Sequence, residues 1–270
     1  MRAPLTLILR AVIGMAWIFP VYWLIVVATG ARGSAYSIPP VFVPLFHFLP
    51  VASVLAHTHL LQHVLNSVIV TTSTIVLVLF TGALGGYALS EVRFPGRSLY
   101  FLLALGVMML PQQALMVPQY VVLYHLRMLN TYAAMIIPFA TSTSSIFLFR
   151  QFFMRLPTSY RDIASVEGVS TARYLWRVAL PLARPAVAAT VLLTFISSWN
   201  MFQWPLVMIS SKSIQPLEVS LTFYMQAFEG HWRQLASVAL LALLPVIGVF
   251  ALTQRYIVSA VAGGELAQKE

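Results

Sequence analysis

Tyr160-Arg-Asp-Ile-Ala-Ser-Val-Glu-Gly-Val-Ser-Thr-Ala-Arg-Tyr-Leu-Trp-Arg-Val-Ala-Leu-Pro181 is a charged, helix-prone island between two long apolar runs. A short polar turn is enough to join two membrane crossings. A loop as long as 150–184, with charges set at helical spacing, offers a docking surface as well. Ser159 followed by Asp162 has the spacing of a capping box, with a carboxylate favourable at a helix N-terminus. The pattern predicts a short helix over about Tyr160–Glu167. Gly168 can then take the left-handed turn that ends it. Ser170 or Thr171 can cap a second helix through Val178, which Leu180-Pro181 and Pro185 close. The expected product is a helix-turn-helix on the inner membrane face.

The residues leave two readings of this island. Arg173, Arg177 and Trp176 suit an amphipathic helix lying among lipid headgroups. Asp162 and Glu167, two of only 7 acidic residues in the chain, do not, because anionic lipid repels them. A basic or polar protein partner attracts them, and the acids weigh toward docking.

The flanks define the solvent. The chain has 270 residues, 60% hydrophobic and 9% charged, with mean hydropathy +0.85. Soluble domains carry roughly 25% charged residues, so this surface cannot be water-coated. A hydrocarbon core of about 30 Å needs about 20 apolar residues as helix. Six runs meet or approach that length, near 11–28, 64–90, 98–118, 131–149, 185–209 and 235–254, and none contains Asp, Glu, Lys or Arg. Their continuous apolarity fits helices and not the alternating strands of an outer-membrane barrel. The third run is interrupted by Pro111, Gln112, Gln113 and Pro118. The first run is read as a retained helix, too long and aromatic for a cleaved signal. The expected fold is an all-α integral membrane protein: six transmembrane helices, a cytoplasmic helix-turn-helix between the fourth and fifth, and 1–270 as a single transmembrane domain.

Net charge is +9, and its distribution sets topology. Of the 16 Lys and Arg, only Arg32, Arg127, Lys212 and Arg233 fall on the outside when the N-terminus is inside. The positive-inside rule therefore places both termini and the 150–184 loop in the cytoplasm. Basic charge of this kind serves topology and contact with membrane lipid, and nucleic acid is not expected as a partner. With no Cys, the chain has neither disulfides nor thiolate metal sites.

Other features are weaker. His59 and His63 would share a helix face and could bind a metal, but acids and a second shell are missing nearby, so polar residues at headgroup level are the simpler account and no metal is expected. Gly82 and Gly86 form a small-xxx-small pair that allows close helix approach. Pro111, Pro118 and Pro138 free backbone carbonyls, which lipid tolerates only beside protein or a water-filled path. Trp199 and Asn200 lie inside the fifth run, where an amide faces protein or water. They are candidates for a solute path, with helix packing as the equal alternative.

The loop also resembles that of ABC-importer permeases, whose pattern is Glu-Ala-Ala, three residues, Gly, nine residues, Ile, one residue, Leu-Pro. Here the matching positions are Asp162-Ile163-Ala164, Gly168, Val178 and Leu180-Pro181, with every gap kept. The likeness extends over about 10–258. Asn66-Ser67, Tyr87-Ala-Leu-Ser90, Phe94-Pro-Gly96, Met109-Leu-Pro-Gln112, Asn130-Thr-Tyr132, Trp199-Asn200 and Gln254-Arg-Tyr-Ile257 are similar to carbohydrate-uptake permeases of the maltose-transporter type. The family's Gly-Ala-Val-Lys-Gly ending is replaced by Ala262-Gly-Gly-Glu-Leu266, so a tail contact with an ATPase does not carry over.

The resemblance implies a permease subunit of the bacterial or archaeal inner membrane. It would import a sugar or related small polar solute by alternating access, with glycerol-phosphate as the non-sugar alternative. It implies a second, related permease chain, two ATPase subunits and an extracytoplasmic solute-binding protein. In that role Asp162, Ile163, Ala164, Glu167, Gly168, Leu180 and Pro181 form the ATPase-coupling loop. The chain is expected to bind no cofactor and to perform no catalysis, with ATP and Mg held by the ATPase. Its only lysines, Lys212 and Lys269, fit no phosphate-binding loop. A self-contained secondary transporter or channel would want ionisable residues in its spans, and an intramembrane enzyme would want paired carboxylates or a Ser-His pair. The runs supply neither.

Overall fold

The computed structural model describes residues 2–30, 42–228 and 231–266. Arg32, Pro39, Pro40 and Lys269 lie outside them, as do the side chains of Arg2, His57 and the stretch 255–266. Every described element is a helix. First come α1 (Arg2–Thr29), α2 (Leu49–His57) and α3 (Leu60–Glu91). Then α4 (Arg97–Val107) and α5 (Gln112–His125) meet at a 99° bend. Next is α6 (Tyr132–Ile136), which runs through a 3-10 turn, Ile137–Phe139, and joins α7 (Thr143–Phe153) at 41°. Following α8 (Thr158–Val166), α9 (Thr171–Tyr174) continues through a π turn, Leu175–Ala179, into α10 (Leu180–Leu182). That rod meets α11 (Arg184–Trp199) at 81°. The chain closes with α12 (Gln203–Met208), α13 (Leu217–Ala227) and α14 (Trp232–Leu266).

Among the described residues, three stretches are each long and apolar enough to cross a membrane: Leu9–Thr29, Leu60–Glu91 and Trp232–Gln254. The count reaches six only when each bent pair is taken as one span. The runs at 98–118, 131–149 and 185–209 are each broken along their length. Pro111 has no N–H and disfavours helix at the residue before it, and its extended backbone (φ −67°, ψ 127°) starts α5 afresh. Ser142 breaks the second run by capping α7, its hydroxyl accepting from the Ser145 N–H at 3.4 Å. The third run stops at Trp199 and resumes at Gln203.

The described residues fall into two compact units. One comprises 1–65 and 217–248. Within it His63 is buried with its ring edge-on to Tyr224 at 6.1 Å, so that imidazole is seated in a protein contact. The other comprises 66–216 and 249–270 and holds the main cores. Ala83, Tyr87, Phe149, Phe153, Tyr174 and Leu175 form one cluster. Val70, Leu123, Met135, Trp204 and Met208 form another. Near the start of α3, the buried Asn66 amide donates to the carbonyls of Ser213 and Gln215 at 2.9 Å each, and its oxygen accepts from the Tyr132 hydroxyl at 2.7 Å.

Gly82 and Gly86 lie against α7. A Cβ on Gly86 would sit 2.5 Å from the Phe149 Cβ and 2.9 Å from the Arg150 nitrogen. On Gly82 it would sit 3.0 Å from the Ser145 Cβ. Backbone cannot move aside as a flexible side chain can, so Gly86 carries the tighter constraint. Gly86→Ala is expected to cost about 1–3 kcal/mol by overpacking. A lowered thermal-shift midpoint in detergent, with Gly14→Ala as the open-space control, checks this.

Candidate functional site

The loop begins at Pro157, whose extended backbone (φ −57°, ψ 134°) lets helix start at once. Thr158 is thus the first residue of α8, and Ser159 already has helical backbone. The expected capping box is corrected accordingly, because a residue inside the helix cannot cap it. At the far end Gly168 takes φ +69°. Its N–H donates to the Ser165 carbonyl at 3.1 Å, and the Val169 N–H donates to the Ala164 carbonyl at 2.8 Å. This pair of bonds is the Schellman arrangement, which satisfies carbonyls the helix leaves open. Apart from its chain neighbours, no described residue has an atom within 4 Å of a Cβ placed on Gly168, so only the backbone demands glycine there. Ser170 caps α9, its hydroxyl accepting from the Arg173 N–H at 3.4 Å.

α8 is held along one side only. Ala164 is its one buried residue, at 8% exposed, and it packs into the Tyr87–Phe149–Phe153 cluster. Ala164 is therefore an anchor to this chain's own core, not part of a surface offered outward. Asp162, Glu167 and Gly168 are exposed. Ile163 is 58% and Val166 89% exposed, and Tyr160 joins them. Val166 and Tyr160 were missed from the sequence, although their spacing around Ile163 marks an apolar strip. Leu180 is half-buried on the same cluster, while Pro181 is exposed just before the 81° bend into α11.

The second anchor is electrostatic. Arg161 pairs with the Glu91 carboxylate at 2.7 Å and donates to the Glu91 carbonyl at 3.1 Å. Arg150 donates to the Leu89 carbonyl at 3.1 Å, and its guanidinium sits 4.0 Å over the Phe101 ring. Arg97 donates to the Ser90 carbonyl at 3.0 Å. Three guanidiniums thus meet the last carbonyls of α3, where the helix dipole is negative. A third tie is aromatic: Trp176, on the π turn, stacks on Phe80 of α3 at 5.6 Å and 14°.

The helices that hold the loop also line a cavity of about 570 Å³, a volume usual for a small-molecule site. α3 contributes Thr74 and Val78, α7 Ser144 and Ser145, and α11 Thr194, Ser197 and Ser198. Four amides face it: Gln112, Gln113, Asn200 and Gln203. Phe139, Phe202 and Trp204 supply rings. None of the lining residues is charged. Of the two candidates for a solute path, Asn200 lines this cavity. Trp199 does not; it is buried and stacks on Phe195 at 5.4 Å. Trp204 is the indole at the wall, its Nε1–H donating to the Ala134 carbonyl at 2.9 Å. The Ser/Thr run 141–145 inside an apolar stretch was the available sequence signal for these hydroxyls.

Residues 82–263 match the family described as binding-protein-dependent transport system inner membrane component. The chain is similar to the arabinooligosaccharides transport system permease protein AraQ of Bacillus subtilis (strain 168), at 33% identity over 74% of this chain and 71% of that one. It is similar to the sn-glycerol-3-phosphate transport system permease protein UgpE of Yersinia enterocolitica, at 29% identity over 92% of each chain. Its fold matches a chain in the crystal structure of a bacterial ABC transporter involved in the import of the acidic polysaccharide alginate. The TM-score is 0.83 at 24% identity, covering 94% of this chain and 95% of that one.

Gly168→Ala is expected to cost about 1–2 kcal/mol through its left-handed backbone alone. Gly168→Asn, which tolerates that conformation, costs less. Protease accessibility of the 166–170 turn in purified protein, rising in the order wild type, Asn, Ala, checks it.

Proposed function

Since this chain belongs to the family of binding-protein-dependent transport system inner membrane components, we propose that it carries solute through the membrane as a separate ATPase pushes on α8. The carrying observation is the one-sided seating of α8. Ala164 and Arg161 fix it to the bundle, while Tyr160, Ile163, Val166, Asp162 and Glu167 stand open. An apolar strip flanked by acids suits a protein cleft with basic residues better than anionic headgroups. In this reading the whole chain, 1–270, is one transmembrane domain. Both termini and the 150–184 helix-turn-helix lie in the cytoplasm.

The assembly contains a second, related permease chain, two ATPase subunits that hold ATP and Mg, and an extracytoplasmic solute-binding protein. Asp162 pairs with a basic ATPase residue, with Glu167 beside it. Ile163 gives the apolar contact, Gly168 the turn, and Leu180-Pro181 the exit into α11. Movement of α8 reaches the solute path mechanically, because α3, α7 and α11 grip the loop at one level and wall the cavity at another. Along α11, Ala186 in the core cluster and Ser198 in the cavity are roughly 18 Å apart at 1.5 Å per residue. Helices this stiff rotate as bodies, which converts ATPase closure into alternating access. The solute is a sugar or related small polar molecule passing Asn200, as the solutes that the two relatives are named for suggest.

Asp162→Ala tests the coupling. Once docked, Asp162 is a buried charge pair, and removing one partner costs about 3–5 kcal/mol; a pair left exposed would be worth about 0–1 kcal/mol. Uptake in cells is expected to fall more than about tenfold with membrane abundance unchanged. Normal uptake by that variant would remove Asp162 from the coupling contact.

A further inference from the structure

The relatives differ in whether the solute in their names is charged, and the cavity speaks to that difference. Its wall combines hydroxyls, amides and ring faces with no Lys, Arg or His. Moving an anion into such a space strips its hydration without supplying an opposite charge, which is heavily penalised. Hydroxyl groups, in contrast, exchange water for Ser, Thr, Asn and Gln partners at little cost, and the C–H face of a sugar ring can lie on Phe139, Phe202 or Trp204. One wall group is unspent. The Ser198 hydroxyl is buried, its residue 6% exposed, and its oxygen has no hydrogen-bond partner among the described residues. The adjacent Ser197 hydroxyl is already committed to the Thr194 carbonyl at 3.1 Å. A buried polar atom left unpaired beside a cavity is costly unless something entering the cavity pairs with it.

We propose that this cavity is a solute-binding site for uncharged polyhydroxylated molecules, that it rejects anionic ones such as phosphate esters, and that the Ser198 hydroxyl is one of its contacts. The inference rests on the permease reading. The four amides of the cavity wall give both donors and acceptors, which a polyol needs and a phosphate does not.

The test uses the full chain with its permease and ATPase partners in lipid nanodiscs, without solute-binding protein, so that only the membrane subunits can hold solute. Equilibrium binding of radiolabelled maltose, arabinobiose and sn-glycerol 3-phosphate is measured by scintillation proximity. Saturable binding of at least one disaccharide is expected, with none for the phosphate ester. Ser198→Ala should weaken the disaccharide about three- to tenfold. Asn200→Lys, which adds a cation to the wall, should lower disaccharide binding and admit the phosphate ester, and it carries the test if Ser198→Ala does not assemble. Binding of the phosphate ester by the unmodified complex, an unchanged affinity in Ser198→Ala, or no disaccharide binding at all would overturn the proposal. ATP hydrolysis stimulated by the solute-binding protein, measured on the same preparations, separates the two levels. Its loss in the unmodified complex would count against the permease reading itself, and its persistence without solute binding against the cavity alone.

Discussion

The loop and the bundle meet at the carbonyl end of α3. There the guanidiniums of Arg97, Arg150 and Arg161 take up the carbonyls of Ser90, Leu89 and Glu91. A helix end leaves its last carbonyls without intrahelical partners, and near a membrane interface each must find one. Three separate segments supply them: the first residue of α4, the end of α7, and α8 itself. Each cation at such an end contributes about 0.3–1 kcal/mol when exposed, and up to about 2 kcal/mol when partly buried. The larger consequence is geometric. α3 cannot shift along its axis without dragging α7 and α8, and its middle stretch carries Thr74 and Val78 on the cavity wall.

These arginines also show how a sequence reading can be right about a residue and incomplete about its work. Counted as positive charges, they oriented the chain. In the structure they also cap a helix, pair with a carboxylate and cover an aromatic ring. Charge counting cannot see this, because capping depends on which backbone groups a side chain reaches.

The loop was the most legible part of the molecule, since residue type and gap had to agree at many positions at once, and Gly168 announced a backbone conformation that other residues avoid. The direction of each helix was far less legible. Hydropathy reports that 185–209 is apolar, but not that the helix stops at Trp199 and restarts at Gln203, because Asn200-Met-Phe202 contains no proline or glycine. The same limit explains the exchange of indoles at the cavity, where Trp204 lines the wall and Trp199 faces the core. Ala164 illustrates another limit. Within a short amphipathic helix, spacing identifies two faces but does not say which one meets the chain's own core and which is left for a neighbour. The Asn66–Tyr132 hydrogen bond joins two motif fragments that lay far apart in the sequence and had no evident connection until the fold brought them together.

The π turn at Leu175–Ala179 gives the gap between Gly168 and Leu180-Pro181 a meaning in residues of arc. A π turn holds one residue more than an α-helical turn, and each residue of helix advances the face by about 100°. Deleting a single residue there would leave a more regular helix and almost the same length of rod. It would also swing Trp176 off Phe80 or Leu180-Pro181 away from the start of α11, since both cannot keep their bearings. The loop therefore behaves like a keyed shaft, whose number of residues matters more than the regularity of its winding.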